Sequence, residues 1–200
     1  MGECILLNNK SILYRRCLAD VKLMAAGKED EYIAKDSQWL DQVMLENTDL
    51  IDGVYEGGFK TWECSLDLAN YLSECDDSIF VNKRVLELGC GSALPGSHVD
   101  FQDYNELVIK LVTMPNTLIN TLSKPETNEI DSKGLFEVDV DLKALDNLHA
   151  SFYSGDWATL NENGTEQYDV ILTSETIYSC ETHQKLHDVM KRSLRPNGNM

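Results

Sequence analysis

The sequence predicts an α/β protein built on a parallel, doubly wound sheet. Three observations carry that reading. From residue 84 onward, short apolar runs of strand length alternate with segments whose apolar residues recur every three or four positions. One run, Val85-Leu86-Glu87-Leu88, carries a carboxylate next to its end and passes directly into Gly89-Cys90-Gly91. The later runs also end in polar groups, as expected where ligands sit at the carboxyl ends of parallel strands.

Taken in order, residues 4–16 read as a hairpin, with Ile5–Leu7 and Ile12–Tyr14 flanking the turn formers Asn8-Asn9-Lys10. Trp39, Leu40, Val43 and Met44 repeat at helical spacing after the capping candidate Ser37. A glycine-rich segment, Asp52 to Lys60, leads into Trp62, Leu66, Ala69 and Leu72 on one helix face. Strands follow at 84–88 and 99–103. Leu107, Val108, Leu111 and Val112 mark a helix interrupted at Pro115, because proline lacks the N–H that the helix interior needs. Residues 123–134 form a polar loop expected to be mobile, and 135–150 carry a weak helical pattern. Phe152–Tyr153 is a short strand, Tyr168–Thr173 a fourth, and 182–194 a last helix burying Leu186, Val189, Met190 and Leu194. Pro196-Asn197-Gly198 should stop that helix. Residues 1–50 are thus an N-terminal extension of hairpin and helix, and 51–200 the domain that carries the sheet.

At 200 residues the chain suits a single sizeable core, with 42% hydrophobic and 26% charged residues. Its net charge of −17 argues against direct nucleic-acid binding, which needs clustered Lys and Arg, and suits a basic protein partner or a solubilising surface. No apolar run reaches membrane-spanning length, and the N-terminus lacks a signal-peptide pattern. The six cysteines form no CxxC pair, so reduced thiols in the cytosol or nucleus are expected. The expectation is therefore a monomer free of membrane.

Four strand ends carry the chemistry: Glu87 with Gly89 and Gly91; Asp103; Asp156 with Trp157; and Ser174-Glu175-Thr176-Ile177-Tyr178. A dinucleotide fingerprint would place a third glycine where Leu94 stands, and no Gly-Lys-Ser/Thr of a phosphate loop follows. Carboxylates in this number favour a cationic ligand without phosphate. His183 and His187 stand at i, i+4, but no third ligand is evident, so a surface pair is the better reading. Cys90 has no evident activating base and reads as packing. Tyr55 and Phe59 read as lid or core residues, and Glu29-Asp30-Glu31 and Asp76-Asp77 as solvated faces.

Glu87-Leu88-Gly89-Cys90-Gly91 resembles the first motif of the seven-strand S-adenosylmethionine methyltransferases. The segments Gly53-Val54-Tyr55-Glu56-Gly57-Gly58-Phe59-Lys60-Thr61-Trp62-Glu63-Cys64, Asp100-Phe101-Gln102-Asp103-Tyr104-Asn105 and Ser174 to Tyr178 resemble signatures of the protein-histidine methyltransferases that modify a ribosomal large-subunit protein. The resemblance runs from about residue 45 to 198. It implies a Rossmann-like sheet and S-adenosyl-L-methionine as cofactor. It further implies that Glu87 and the Gly89–Gly91 backbone face the methionine portion, with Asp103 on the ribose and Asp156 and Trp157 on the adenine. Trp62 and Glu63 would close the pocket, Ser174 would line it, and Glu175 and Tyr178 would meet the methyl group and its acceptor. Glu175 is the expected residue to fix the histidine tautomer. The protein substrate would be a basic ribosomal protein. Lysine methylation by the same broader group, and a remnant that binds without turnover, are the alternatives.

Two departures from the family pattern set further expectations. Only Gly89 to His98 separate the first two parallel strands, short of the dozen or so residues a crossover normally needs, and Pro95 stands among them. The sequence also ends where a fifth strand should begin. The fold is therefore expected to lack its first crossover helix and C-terminal strands. The fourth strand should become an edge, with Val170–Leu172 and the first strand's face uncovered. A marginally stable, weakly active or inactive chain would result.

Overall fold

The computed structural model describes residues 1–27, 39–40, 42–43, 48–93, 99–121, 130–137 and 148–200. Five strands form a parallel sheet in the order β6-β4-β3-β7-β8: β3 (Val85–Leu88), β4 (Val99–Asp103), β6 (Phe152–Ser154), β7 (Tyr168–Thr173) and β8 (Leu194–Asn199). Strand order runs outward from β3 in one direction through β4 and β6, and in the other through β7 and β8. The switch point between β3 and β7 is where ligand crevices open in such sheets.

β3 is buried along its whole length, as the run Val-Leu-Glu-Leu foretells for a strand covered on both faces. On one face Val85, Val99, Phe101 and Val170 pack against Ile109 and Met114. On the other, Leu86, Leu88, Tyr168 and Ile171 pack against Leu186 and Val189. The first of these covers comes from α3, which comprises Glu106–Val108, a π-helical turn Ile109–Thr113, and Met114–Thr121. The second is α4 (His183–Ser193). The expectation of an uncovered first strand and an uncovered Val170–Leu172 is therefore corrected, because two amphipathic helices cover both faces of the sheet.

Nor is the fourth strand, β7, an edge. The chain leaves α4 at Ser193 and enters β8, whose Leu194 and Asn199 register with Tyr168 and Val170 of β7. Pro196 and Asn197, read as helix stops, lie inside this strand. It is the outermost strand of the sheet and irregular in register, where a missing N–H is tolerated.

α3 also corrects the sequence reading, since it continues through Pro115. A proline there orphans the carbonyl four residues back, that of Leu111. Arg16 Nη1 donates to this oxygen at 3.0 Å, and the π turn just before Pro115 relaxes the local hydrogen-bond register.

The N-terminal hairpin is present as β1 (Gly2–Leu6) and β2 (Ile12–Arg16), paired antiparallel. Leu135–Phe136 form β5 and add to β1, so the start of the expected helical stretch 135–150 is a strand instead. Residues 138–147 lie outside the described residues, as do 123–129 of the polar loop, Ser37, Met44 and residues 94–98, on which the expected lack of a first crossover helix falls. Trp39, Leu40 and Val43 are helical. The free edge of β2 is closed by two asparagines of α3. Asn120 accepts from Tyr14 N–H and donates to Tyr14 O, and Asn116 accepts from Arg16 N–H. The hairpin tip rests on α2 (Glu63–Glu74), where Leu7 meets Ala69 and Asn8 N–H donates to Asn70. Between these parts, α1 (Leu18–Gly27) contributes Val21 to a cluster with Leu40, Tyr55, Phe59 and the outer face of α3. Tyr55 and Phe59 are core residues, stacked with Trp39.

Candidate active site

Beyond the carboxyl ends of β3, β4, β6 and β7 opens a cleft of about 250 Å³. It gathers most of the residues singled out in the sequence: Trp62, Gly89, Gly91, Asp103, Asp156, Trp157, Ser174, Glu175 and Tyr178. Residues as far apart in sequence as Trp62 and Tyr178 converge here because parallel strands deliver all their carboxyl ends to one side. Two expected residues are elsewhere. Glu63 is exposed on the first turn of α2, where Ser65 lines the cleft instead. Glu87 is 4% exposed and does not reach the cleft wall; along β3 it alternates onto the same face as Val85.

The glycine loop after β3 shows why glycine is needed. Gly89 has φ +63°, and a Cβ there would stand 2.6 Å from Thr176 Cγ2. Gly91 has φ +47° and would bring a Cβ to 3.3 Å from the Cα of Gly58. The loop is held from α3: Thr113 Oγ1 donates to Gly91 O at 2.6 Å and Asn116 Nδ2 to Ser92 O at 2.7 Å. Cys90, 3% exposed, has its thiol pushed well up by burial, which suits packing rather than reactivity.

Asp103, at the end of β4, accepts from Gly91 N–H at 2.9 Å and from Asn105 N–H at 3.1 Å. Burial raises its pKa to about 6. Glu87 is pushed to about 8 by burial and by Asp103, and its Oε2 has no hydrogen-bond partner among the described residues. A buried, unpartnered carboxyl beside a second buried carboxylate is costly, and a cation bound nearby would relieve it.

Asp156 follows β6. Burial works against its charge, but Ala158 N–H at 2.8 Å and Lys185 Nζ at 2.6 Å hold its carboxyl below the usual range. Lys185, from α4, carried no signal beyond its place on the exposed face of a helix. Gln102 was also missed. Its Oε1 accepts from Trp157 Nε1 at 2.8 Å and from Gly89 N–H at 3.3 Å, and its Nε2 donates to Gly155 O at 2.8 Å. One buried side chain thereby ties three parts of the cleft wall together. The available signal was a polar residue inside an apolar strand.

The two long sequence signatures interlock physically. Asn105 Nδ2 donates to Val54 O at 2.7 Å, its Oδ1 accepts from Glu56 N–H at 3.1 Å, and Tyr104 OH donates to Gly53 O at 3.1 Å. Residues 53–58 are thereby fixed over the end of β4. From the other side, Thr173 Oγ1 donates to Leu88 O at 3.0 Å and lies 2.6 Å from Thr176 Oγ1. This hydroxyl pair pins the turn after β7 and holds Glu175 at φ +55°, a conformation that side chains other than glycine rarely adopt. Glu175 lies beside Cys64 at the start of α2, whereas Tyr178 reaches across to donate to Glu56.

The arrangement offers carboxylates, bare glycine backbone and an indole, a set that fits an adenine-bearing cation. A family model described as lysine methyltransferase matches residues 47–200. A histidine protein methyltransferase 1 homolog of Bos taurus is 39% identical over 166 residues, covering 76% of this chain and 44% of its own length. Its counterpart in Dictyostelium discoideum is 41% identical over 163 residues, covering 78% and 45%. A human protein-lysine N-methyltransferase is 29% identical, covering 68% and 40%. The chain therefore spans less than half the length of these curated relatives. With the family model matching more than three quarters of its residues, the chain belongs to the lysine methyltransferase family.

Proposed function

We propose that this protein transfers a methyl group from S-adenosyl-L-methionine to a histidine side chain of a basic protein, with a ribosomal large-subunit protein as the expected substrate. The observation that carries the reading is the convergence of Gly89, Gly91, Asp103, Asp156 and Trp157 on one cleft that also opens onto Glu175 and Tyr178. Asp103 would hold the ribose, Asp156 and Trp157 the adenine, and the glycine backbone the methionine portion. The cofactor supplies a methyl already activated on a sulfonium. What remains for the chain is to align an acceptor, keep one ring nitrogen unprotonated, and exclude competing water.

The acidic lining, Asp52, Glu56, Glu175 and Glu181, supports a basic partner. Histidine is favoured over lysine because the relatives at 39% and 41% identity are named for histidine, and the one at 29% for lysine. The description of the family model keeps lysine as the second reading. A cytosolic and nuclear location follows from the same substrate proposal.

Calorimetry with S-adenosylhomocysteine, followed by labelled methyl transfer to matched basic peptides containing histidine or lysine, tests the proposal. Binding with transfer to histidine alone is expected, and Glu175→Gln should retain binding while losing transfer. Absence of binding, or transfer to lysine alone, would sink the histidine reading.

A further inference from the structure

At the cleft mouth the Tyr178 hydroxyl donates to Glu56 Oε2. The two residues are 122 positions apart in sequence. Glu56 belongs to the segment fixed by Asn105 and Tyr104, and its Oε1 faces Gly53 N–H. Tyr178 is 47% exposed, so one side of the phenol remains open to the cleft. Burial and the Glu56 carboxylate push the phenol's pKa up, so it keeps its proton at neutral pH. A phenol whose single hydrogen is committed to a carboxylate can offer a third group only its lone pairs. A neutral imidazole, in turn, has one N–H and one bare nitrogen, and only the bare nitrogen can attack.

We propose that Glu56 is a positioning residue that acts through Tyr178 to fix the tautomer of the acceptor histidine. The inference rests on the histidine methyl transfer proposed above. The imidazole N–H donates to the Tyr178 oxygen, and the opposite nitrogen uses its lone pair to bond the methyl carbon. The methyl–sulfur bond breaks with its electron pair left on sulfur as a thioether, and the positive charge passes to the ring. The methylimidazolium then loses its N–H proton to water as the product leaves. Glu56 takes no proton; it keeps Tyr178 from donating to the bare nitrogen, which would select the unreactive tautomer. On this assignment the single imidazole N–H goes to Tyr178 and not, as expected from the sequence, to Glu175, which lies beside Cys64 and flanks the acceptor from the other side.

The test compares the full chain with Tyr178→Phe, Glu56→Gln and the double variant. S-adenosylhomocysteine affinity by calorimetry should be unchanged in all three. Tyr178 should ionise at lower pH in Glu56→Gln, read as the ultraviolet difference against the matching Phe variant. On a basic histidine peptide each single variant should lose about a hundredfold in kcat, the low end for a positioned proton-handling group, at little change in KM. The double variant should lose no more than the worse single. Multiplying losses, or an unmoved phenol titration, would overturn the dyad while leaving histidine transfer intact. A wild-type chain that binds S-adenosylhomocysteine but methylates no histidine would instead overturn the proposed function, and the dyad with it. Should Glu56→Gln fail to fold, Glu56→Asp serves in its place, since the loop is held by the backbone of residue 56.

Discussion

Glu87 and Gln102 stand on adjacent strands, on opposite faces of the sheet, in opposite situations. Gln102 is fully used: replacing it by Leu leaves Trp157 Nε1 and Gly155 O without their partner. A loss of about 2 kcal/mol in stability is expected, with at least tenfold weaker S-adenosylhomocysteine binding (~1.4 kcal/mol), checked by urea unfolding and calorimetry. Glu87 is the reverse, a buried carboxyl with an unpartnered oxygen. Folded, it titrates at about 8 against an ordinary 4.5. Below pH 4.5 both the folded and unfolded chains hold the proton and the residue exacts no penalty. As pH rises towards 8 the unfolded chain has already ionised while the folded one has not, so stability falls across that window. Unfolding free energy measured from pH 4.5 to 8 should therefore slope downward in the wild type and less steeply in Glu87→Gln. Equal slopes would show that the carboxyl is solvated. The candidate site residues legible in the sequence, Asp103, Asp156, Trp157 and Glu175, all lie at a strand's carboxyl end or within three residues beyond it. Glu56, Gln102 and Lys185 were not legible, because each acts on a group 29 to 122 residues away.

At the scale of elements, α3 serves three parts of the molecule at once. It covers one face of the sheet, closes the edge of β2, and holds the carbonyls of Gly91 and Ser92. Asn116 and Asn120 stand one turn apart and separate these tasks. Asn116 bonds both the hairpin and the glycine loop, whereas Asn120 bonds the hairpin at Tyr14. Asn116→Leu should cost about 2–4 kcal/mol and weaken S-adenosylhomocysteine binding, while Asn120→Leu should cost a similar amount and leave binding unchanged. Parallel loss of binding in both variants would mean that the helix acts only through global stability. The strands at 85–88, 99–103 and 168–173 were readable from local apolar runs alone. Pro115 misled because its remedy, Arg16, lies about a hundred residues earlier, and β5 and β8 misled because two residues and a Pro-Asn-Gly run become strands only through their partners.

For the whole molecule, the covering of both sheet faces and the pairing of β7 with β8 remove the ground on which marginal stability was expected. Two clusters are joined by α3, which packs against the sheet with Ile109 and against Val21, Leu40, Tyr55 and Phe59 with Leu107, Val108 and Leu111. A single helix common to both parts should make them unfold together. One cooperative thermal transition in the usual mesophile range of about 45–65 °C is expected, and two separated transitions would show that the extension melts on its own. A ligand that binds only the folded chain stabilises it by about 2.7 kcal/mol at a hundred times its Kd. For a chain of this size each kcal/mol raises Tm by about 2–4 °C. S-adenosylhomocysteine at that concentration should therefore raise Tm by about 5–10 °C. Because the cleft is built from β3, β4, β6, β7 and residues 53–65 together, the whole transition should shift rather than part of it. A ligand that sharpened or moved only one phase would place its site in a sub-structure smaller than the sheet.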